Sequence, residues 1–252
     1  MLAATSDGAR RWSGVRDLHG TTFVCSWSGG KDACLALHRA VAAGGVATSL
    51  VCLARADGRT TLTHGVPMDL VEAQADRLGL PLDVCPGSWH DYEFVWAQAL
   101  QRRREAGAEA AVFGDLHIVR HHAWELRVCR GLGLKPVHPL WKVSPRVLAG
   151  ELSTTRTRAV ITCLRAERLD KGFLGCEITP ELLSELDEAG VDPFGEHGEY
   201  HTLVVDAALF SSPVDAVPVG EYLHDGQWHL DFGEGAPPAG FGPPRPRAGG
   251  IQ

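Results

Sequence analysis

The sequence predicts an α/β protein: a parallel sheet covered by helices on both faces, followed by a smaller, less regular α+β part. Three observations predict it. From residue 21, apolar runs of strand length alternate with stretches whose apolar residues recur at helical spacing. The links between them are short and marked by glycine, as in chains whose helices carry each strand back across a parallel sheet. After about residue 140 prolines break the alternation, at Pro139-Leu140-Trp141 and Ser144-Pro145.

Taken in order, Thr22-Phe23-Val24-Cys25 lies in a buried strand over 21–27. The helix that follows, Lys31 to Ala43, repeats apolar residues at Cys34, Leu37 and Val41. Further strands are expected over 47–54, 81–85 and 110–116, and further helices over 68–78 and 92–106. Gly44-Gly45, Gly79 and Gly107 stand where a helix ends in a left-handed residue. In the second part, Ser144-Pro145 reads as the N-cap and first position of a helix. Thr157 to Leu164 is a strand, Thr179-Pro180-Glu181 starts a helix stopped at Gly190, and His201 to Val205 is a strand. Asp225-Gly226 sits between two strand patterns as a hairpin turn. These readings divide the chain into an N-terminal extension (1–20), a sheet domain (21–140), a second domain (141–232) and a proline- and glycine-rich disordered tail (233–252).

Composition narrows the partners. A chain of 252 residues with 44% hydrophobic content holds one large domain or two modest ones. Its formal charge of −7 argues against nucleic acid and anionic membranes, because no basic excess is available to neutralise phosphates. Arg102-Arg103-Arg104 reads as a solvated helix face. No stretch approaches the ~20 apolar residues that span a bilayer, and residues 1–20 lack the apolar centre of a secretory signal. Seven cysteines without a C-x-x-C pair indicate reduced, buried thiols and a cytoplasmic protein. A homo-oligomer is compatible with all of this.

The densest chemistry lies in Ser26-Trp27-Ser28-Gly29-Gly30-Lys31-Asp32-Ala33. A strand, a turn with two glycines and a helix N-terminus together build an anion site. The glycines let successive N–H groups point inward, and the helix dipole adds positive charge. Lys31 supplies a full charge at the same mouth. The Walker spacing and the dinucleotide fingerprint are both absent, and the same turn is also compatible with simple packing. In a parallel sheet, ligands sit beyond the carboxyl ends of the strands. That edge gathers Ser28 to Asp32, the loop from Asp57 to Pro67 with His64, and Gly114-Asp115.

A second patch runs from Gly190 to Thr202. Glu196 and Glu199, three apart, have the chemistry to hold Mg²⁺, orient an amine or move protons, and a plain polar loop with capping acids fits as well. His117 and His121, four apart, would share a face if that stretch is helical, but no third metal ligand follows at recognisable spacing. Cys129 has no evident base beside it and reads as core. Trp124 and Trp141 read as packing.

Ser28 to Ala33 resembles the Ser-Gly-Gly-x-Asp-Ser loop of PP-loop ATP pyrophosphatases, with Ala33 in place of the last Ser. The chain as a whole resembles the diphthine–ammonia ligase family of these enzymes over roughly residues 21–212. Phe113-Gly114-Asp115 matches the family's Phe-Gly-Asp motif. Arg120, Glu125, Cys129, Gly133-Leu134 and Pro139-Leu140-Trp141 match the stretch after it. Gly195 to Thr202 matches the Gly-Glu-x-Gly-Glu-Phe/Tyr-His/Glu-Thr signature, and His64-Gly65 also fits.

The resemblance implies a Rossmann-like, HUP-type PP-loop domain that binds ATP and a C-terminal domain that shapes the acceptor site. It implies adenylation of a carboxylate with loss of pyrophosphate, then displacement of AMP by ammonia. Lys31, Asp32, Glu196, Glu199 and His201 would be catalytic. Ser26, Ser28, Gly29, Gly30, Lys31, Asp32, Ala33, His64, Gly114 and Asp115 would bind ATP, and Asp32 and Asp115 would hold Mg²⁺. The acceptor would be a diphthine-containing translation factor in a eukaryote or archaeon. Two alternatives stay open: the same nucleotide chemistry on a small metabolite or tRNA, and an ATP-sensing module with little turnover.

Overall fold

The computed structural model describes residues 18–233. Most of the expected N-terminal extension, and the expected disordered tail beyond residue 233, lie outside the described residues.

The first part is built from β1 (Thr22–Ser26), α1 (Lys31–Ala42), β2 (Val46–Arg55), α2 (Met68–Leu78) and β3 (Leu82–Gly87). It continues through α3 (Tyr92–Glu105), β4 (Ala110–Val112), α4 (Val119–Leu132) and β5 (Lys135–Val137). The five strands are all parallel, in the order β3-β2-β1-β4-β5. This is the Rossmann-like sheet that the alternation predicts. The chain winds outward from β1 in both directions, so the switch point falls between β1 and β4, where such sheets open a crevice.

Central β1 shows why helices are needed on both faces. Phe23 and Cys25 pack on one side with Leu37 of α1 and Val71 of α2. Val24 points the other way, into a cluster with Trp96 and Leu100 of α3 and Cys129 of α4. Phe23, Val24 and Cys25 are all fully buried, as a strand covered on both faces requires.

The second part holds α5 (Pro145–Thr154), β6 (Arg158–Arg165), a 3₁₀ turn (Lys171–Phe173), α6 (Pro180–Glu188), β7 (Tyr200–Asp206), β8 (Gly220–His224) and β9 (Gln227–Asp231). Its strands form a separate antiparallel sheet, ordered β7-β6-β9-β8. Thr179 caps α6 by accepting from the Leu182 N–H at 3.2 Å. Asp225 (φ 45°) and Gly226 (φ 77°) both take left-handed backbone, the two-residue hairpin turn that their sequence predicts.

Three elements differ from expectation. The fourth strand ends at Val112 instead of running to 116, because Gly114 leaves the sheet to pack on the start of α1. Helix α4 was not among the expected elements: its polar sequence buries only Trp124, Glu125 and Cys129, too sparse a stripe to register as periodic. Strand β5 is three residues long with Pro136 at its centre, and it pairs on one side only, the place a sheet tolerates proline.

One hydrophobic cluster runs through both parts, joining Phe23 and Leu37 to Ile161, Phe194 and Leu203. A buried ion pair crosses the same junction. Arg39 of α1 donates to both carboxylate oxygens of Glu151 on α5 at 2.8 and 2.6 Å, and to the Pro139 carbonyl at 2.6 Å. Glu151→Ala should lower unfolding stability by about 3–5 kcal/mol, because it takes the neutralising carboxylate from a buried guanidinium. Replacing both partners, Arg39→Met with Glu151→Leu, should recover most of that loss in urea denaturation.

Candidate active site

The turn after β1 is held in shape from three directions. Gly29 adopts φ +81°, open to glycine and strained for other residues. Its carbonyl accepts from the Val204 N–H of β7 at 2.9 Å and from Gln74 Nε2 of α2 at 3.0 Å. Gln74 is fully buried; its amide also donates to the Val204 carbonyl at 2.7 Å, and its oxygen accepts from the Trp27 indole at 2.9 Å. The Lys31 N–H donates to Thr202 Oγ1 at 3.1 Å. A Cβ on Gly30 would lie 2.8 Å from the His64 ring and 3.1 Å from the Thr202 carbonyl, so only glycine fits. Gly114 is equally constrained, since a Cβ there would lie 2.9 Å from the Asp32 backbone.

Lys31 is buried, and its ammonium donates to the Phe194 carbonyl at 2.7 Å and to Asp32 Oδ2 at 3.0 Å. It also stands 5.0 and 5.1 Å from the rings of Phe194 and Tyr200, a favourable cation–π arrangement. Gly195 (φ 65°) has Tyr200 atoms 2.9 Å from where its Cβ would sit, which fixes the turn of the signature segment against β7.

Two adjoining cavities open beyond the carboxyl ends of β1, β2 and β4. The larger, about 210 Å³, is lined by Ser26, Ser28, Ala33 and Gly114 and by apolar walls that include Trp27, Leu53, Tyr92 and Trp96. The smaller, about 150 Å³, is lined by Lys31, Phe194, Gly195, Tyr200 and Thr202. Both are bounded by the same six side chains: Asp32, His64, Asp115, His121, Glu196 and His201.

Acids crowd the boundary. Asp32 Oδ1 is buried with no hydrogen-bond partner. Burial raises Asp32 above the usual carboxylate range, opposed by Lys31. Glu196 Oε1 accepts the N–H groups of Leu116 and His117 at 2.8 and 3.1 Å, yet burial still lifts its pKa. Burial would raise Asp115 too, but hydrogen bonds from His121 (3.1 Å) and Glu125 hold it low. Burial and the charge of Asp115 push Glu125 up to about 10, so it is a neutral acid at pH 7. It shares a buried 2.6 Å hydrogen bond with His138.

His64 and His201 are held neutral. His64 stacks on His201, centroids 4.5 Å apart, and its Nδ1–H donates to the Thr202 carbonyl at 3.2 Å. Burial, then the neighbouring Lys31, lowers His64 to about 4, and burial takes His201 well below its ordinary value.

Of the residues expected to act in catalysis or to bind ATP or Mg²⁺, all but Gly29, Gly30 and Glu199 line one or both cavities. The two glycines form the turn itself. Glu199 is buried and accepts the His197 N–H at 3.1 Å, bracing its own loop. His117 and His121 do not share a helix face, because α4 begins at Val119. Cys129 is fully buried, with its thiol pushed up to about 12 by burial. The seven described cysteines are all free. Sequence reasoning missed Gln74, which reads as an ordinary polar helix position, and the apolar wall of Tyr92 and Trp96, which reads as core.

Fold and site together define a Rossmann-like α/β protein with a carboxylate-rich crevice at its switch point. The chain belongs to the diphthamide synthase family. It matches the diphthamide synthase N-terminal domain over residues 21–136 and the C-terminal domain over residues 144–234, in agreement with the resemblance carried by its motifs. A Schizosaccharomyces pombe protein named diphthine–ammonia ligase is 27% identical over 209 residues, covering 74% of this chain and 34% of that one. The Bos taurus protein of the same name is 26% identical over 216 residues, covering 74% and 79%. The chain thus spans about a third of the first relative's length. A solved structure, described as a predicted subunit of tRNA methyltransferase from Methanocaldococcus jannaschii, covers 75% of this chain and 97% of its own. It shares 16% identity with a TM-score of 0.42, too low to carry an argument.

A pH prediction follows for His64. Its folded pKa of about 4 lies below the ordinary 6.5, so the unfolded chain takes up the proton first on acidification. The stability that depends on neutral His64 is intact above pH 6.5 and lost between 6.5 and about 4. Imidazole NMR titration should give a midpoint near 4; an ordinary midpoint would contradict the burial argument.

Proposed function

We propose that the protein is an ATP-dependent ligase that adenylates a carboxylate and converts it to an amide with ammonia. The observation that carries this reading is the pair of cavities meeting at one ring of carboxylates and imidazoles. The larger cavity has a glycine turn at one end and aromatic walls at the other, suited to phosphate and to a base. The smaller, lined by the signature segment, takes the acceptor. The α-phosphate and the acceptor carboxylate then meet where the two join. Family membership and the relatives' names support the same chemistry, and diphthine is the acceptor those names suggest.

In the proposed cycle the acceptor carboxylate oxygen attacks the α-phosphorus and pyrophosphate leaves. Ammonia then attacks the acyl carbon, AMP departs, and one proton is released. Lys31 lines the smaller cavity beside Asp32 and holds the pyrophosphate where the two cavities join, while the aromatic and glycine walls position the nucleotide. The unpartnered Asp32 Oδ1, with Asp115 on the same wall, is the oxygen-only donor set that suits Mg²⁺. A bound Mg²⁺ would neutralise the phosphates and polarise the bond to the leaving group. Glu196, with its pKa raised by burial, takes the proton from the attacking ammonia. Neutral His64 and His201 add no positive charge to that of Lys31 in the acceptor cavity.

Incubation with Mg-ATP, ammonium and a cell extract as the source of acceptor carboxylate should yield AMP and pyrophosphate. Lys31→Ala should reduce that release by about 100-fold or more. Glu196→Gln should keep nucleotide affinity and lose about 10²–10⁴ in amide formation. Release of ADP and phosphate instead would overturn the reading.

A further inference from the structure

We propose that His117, Asp192 and His197 form a binding site for a zinc-like divalent transition-metal ion, which pins the signature loop to the loop between β4 and α4. One ligand atom from each of the three lies within 4.8 Å of the other two. His117 Nε2 stands 3.5 Å from Asp192 Oδ2, and the two imidazoles meet edge-on with centroids 5.2 Å apart. Ligand atoms around tetrahedral zinc, each about 2.0–2.2 Å from the metal, sit roughly 3.3 Å from one another, so only small side-chain movements close the site. Two imidazoles and one carboxylate favour zinc and its neighbours over Mg²⁺.

The surroundings suit a ligand set. Asp192 Oδ1 accepts the Phe194 N–H at 2.8 Å, which leaves Oδ2 turned toward His117, the kind of outer support that orients metal carboxylates. Both histidines are exposed, so the metal has an entry path. None of the three residues lines either cavity, so the site is separate from the oxygen donors Asp32 and Asp115. It is nevertheless coupled to the reaction centre. The backbone N–H of His117 holds Glu196, and Asp192 and His197 belong to the loop that carries Glu196. A metal here would fix that carboxylate by tying both of its supports together.

The test is zinc titration of the tag-free, chelator-stripped full chain against a chromophoric competitor, with Co²⁺ as a spectroscopic probe. One zinc per chain is expected. His117→Gln and His197→Gln should each weaken it by more than the roughly 10–100-fold that loss of an outer-shell partner costs. In the unaltered chain, zinc should shift the imidazole resonances of His117 and His197. Absence of uptake, uptake that both variants retain in full, or unmoved His117 and His197 resonances would overturn the proposal.

Discussion

The structure depends on how the glycine turn after β1 is tied to β7. A turn built to present N–H groups to an anion turns its carbonyls away into the protein, and these need partners of their own. Val204 and Gln74 satisfy the Gly29 carbonyl, and Thr202 takes the Lys31 N–H. The signature segment therefore works as the scaffold of the turn as much as a wall of the acceptor cavity. Phe194 reinforces this by accepting from the Lys31 ammonium. Turn and segment, about 170 residues apart in the chain, make one unit, and the shared hydrophobic cluster beneath them keeps the two sheets in register.

Electrostatics follow from the same packing. Asp32, Asp115 and Glu196 share the boundary between the cavities, with Lys31 as the cation beside them. Burial works against ionised acids and against charged imidazoles alike. Glu125 takes the neutral form, and His64, His138 and His201 are driven to theirs. Asp115 stays ionised because His121 and Glu125 bond to it. The boundary is left acidic, with Asp32 Oδ1 unpartnered, a surface that suits a cation and an incoming amine.

Much of this was legible in the sequence, for identifiable reasons. Alternating strand and helix patterns mark β1 to α3 closely, because buried parallel strands are continuous apolar runs and glycine ends the helices. The hairpin at Asp225-Gly226 and the cap at Thr179 are local and were visible for that reason. What could not be read depends on distant partners. The role of Gln74 exists only once α2 lies beside β7, and Glu199 looks like a free acid until its bond to His197 is seen. The polar surface of α4 and the brevity of β5 hid both elements, and with them the pairing of Asp115 with His121.

The most direct test of the coupling between turn and scaffold is the affinity of the α,β-methylene analogue of ATP for the unaltered chain and for Gln74→Leu. That change removes the donor to Gly29 and Val204 and the acceptor of the Trp27 indole, at a side chain that itself lines neither cavity. If the turn takes its nucleotide-binding shape from these bonds, Gln74→Leu should stay folded by circular dichroism and bind the analogue about tenfold or more weakly, the equivalent of at least one buried hydrogen bond. Undiminished affinity in a folded Gln74→Leu chain would contradict it.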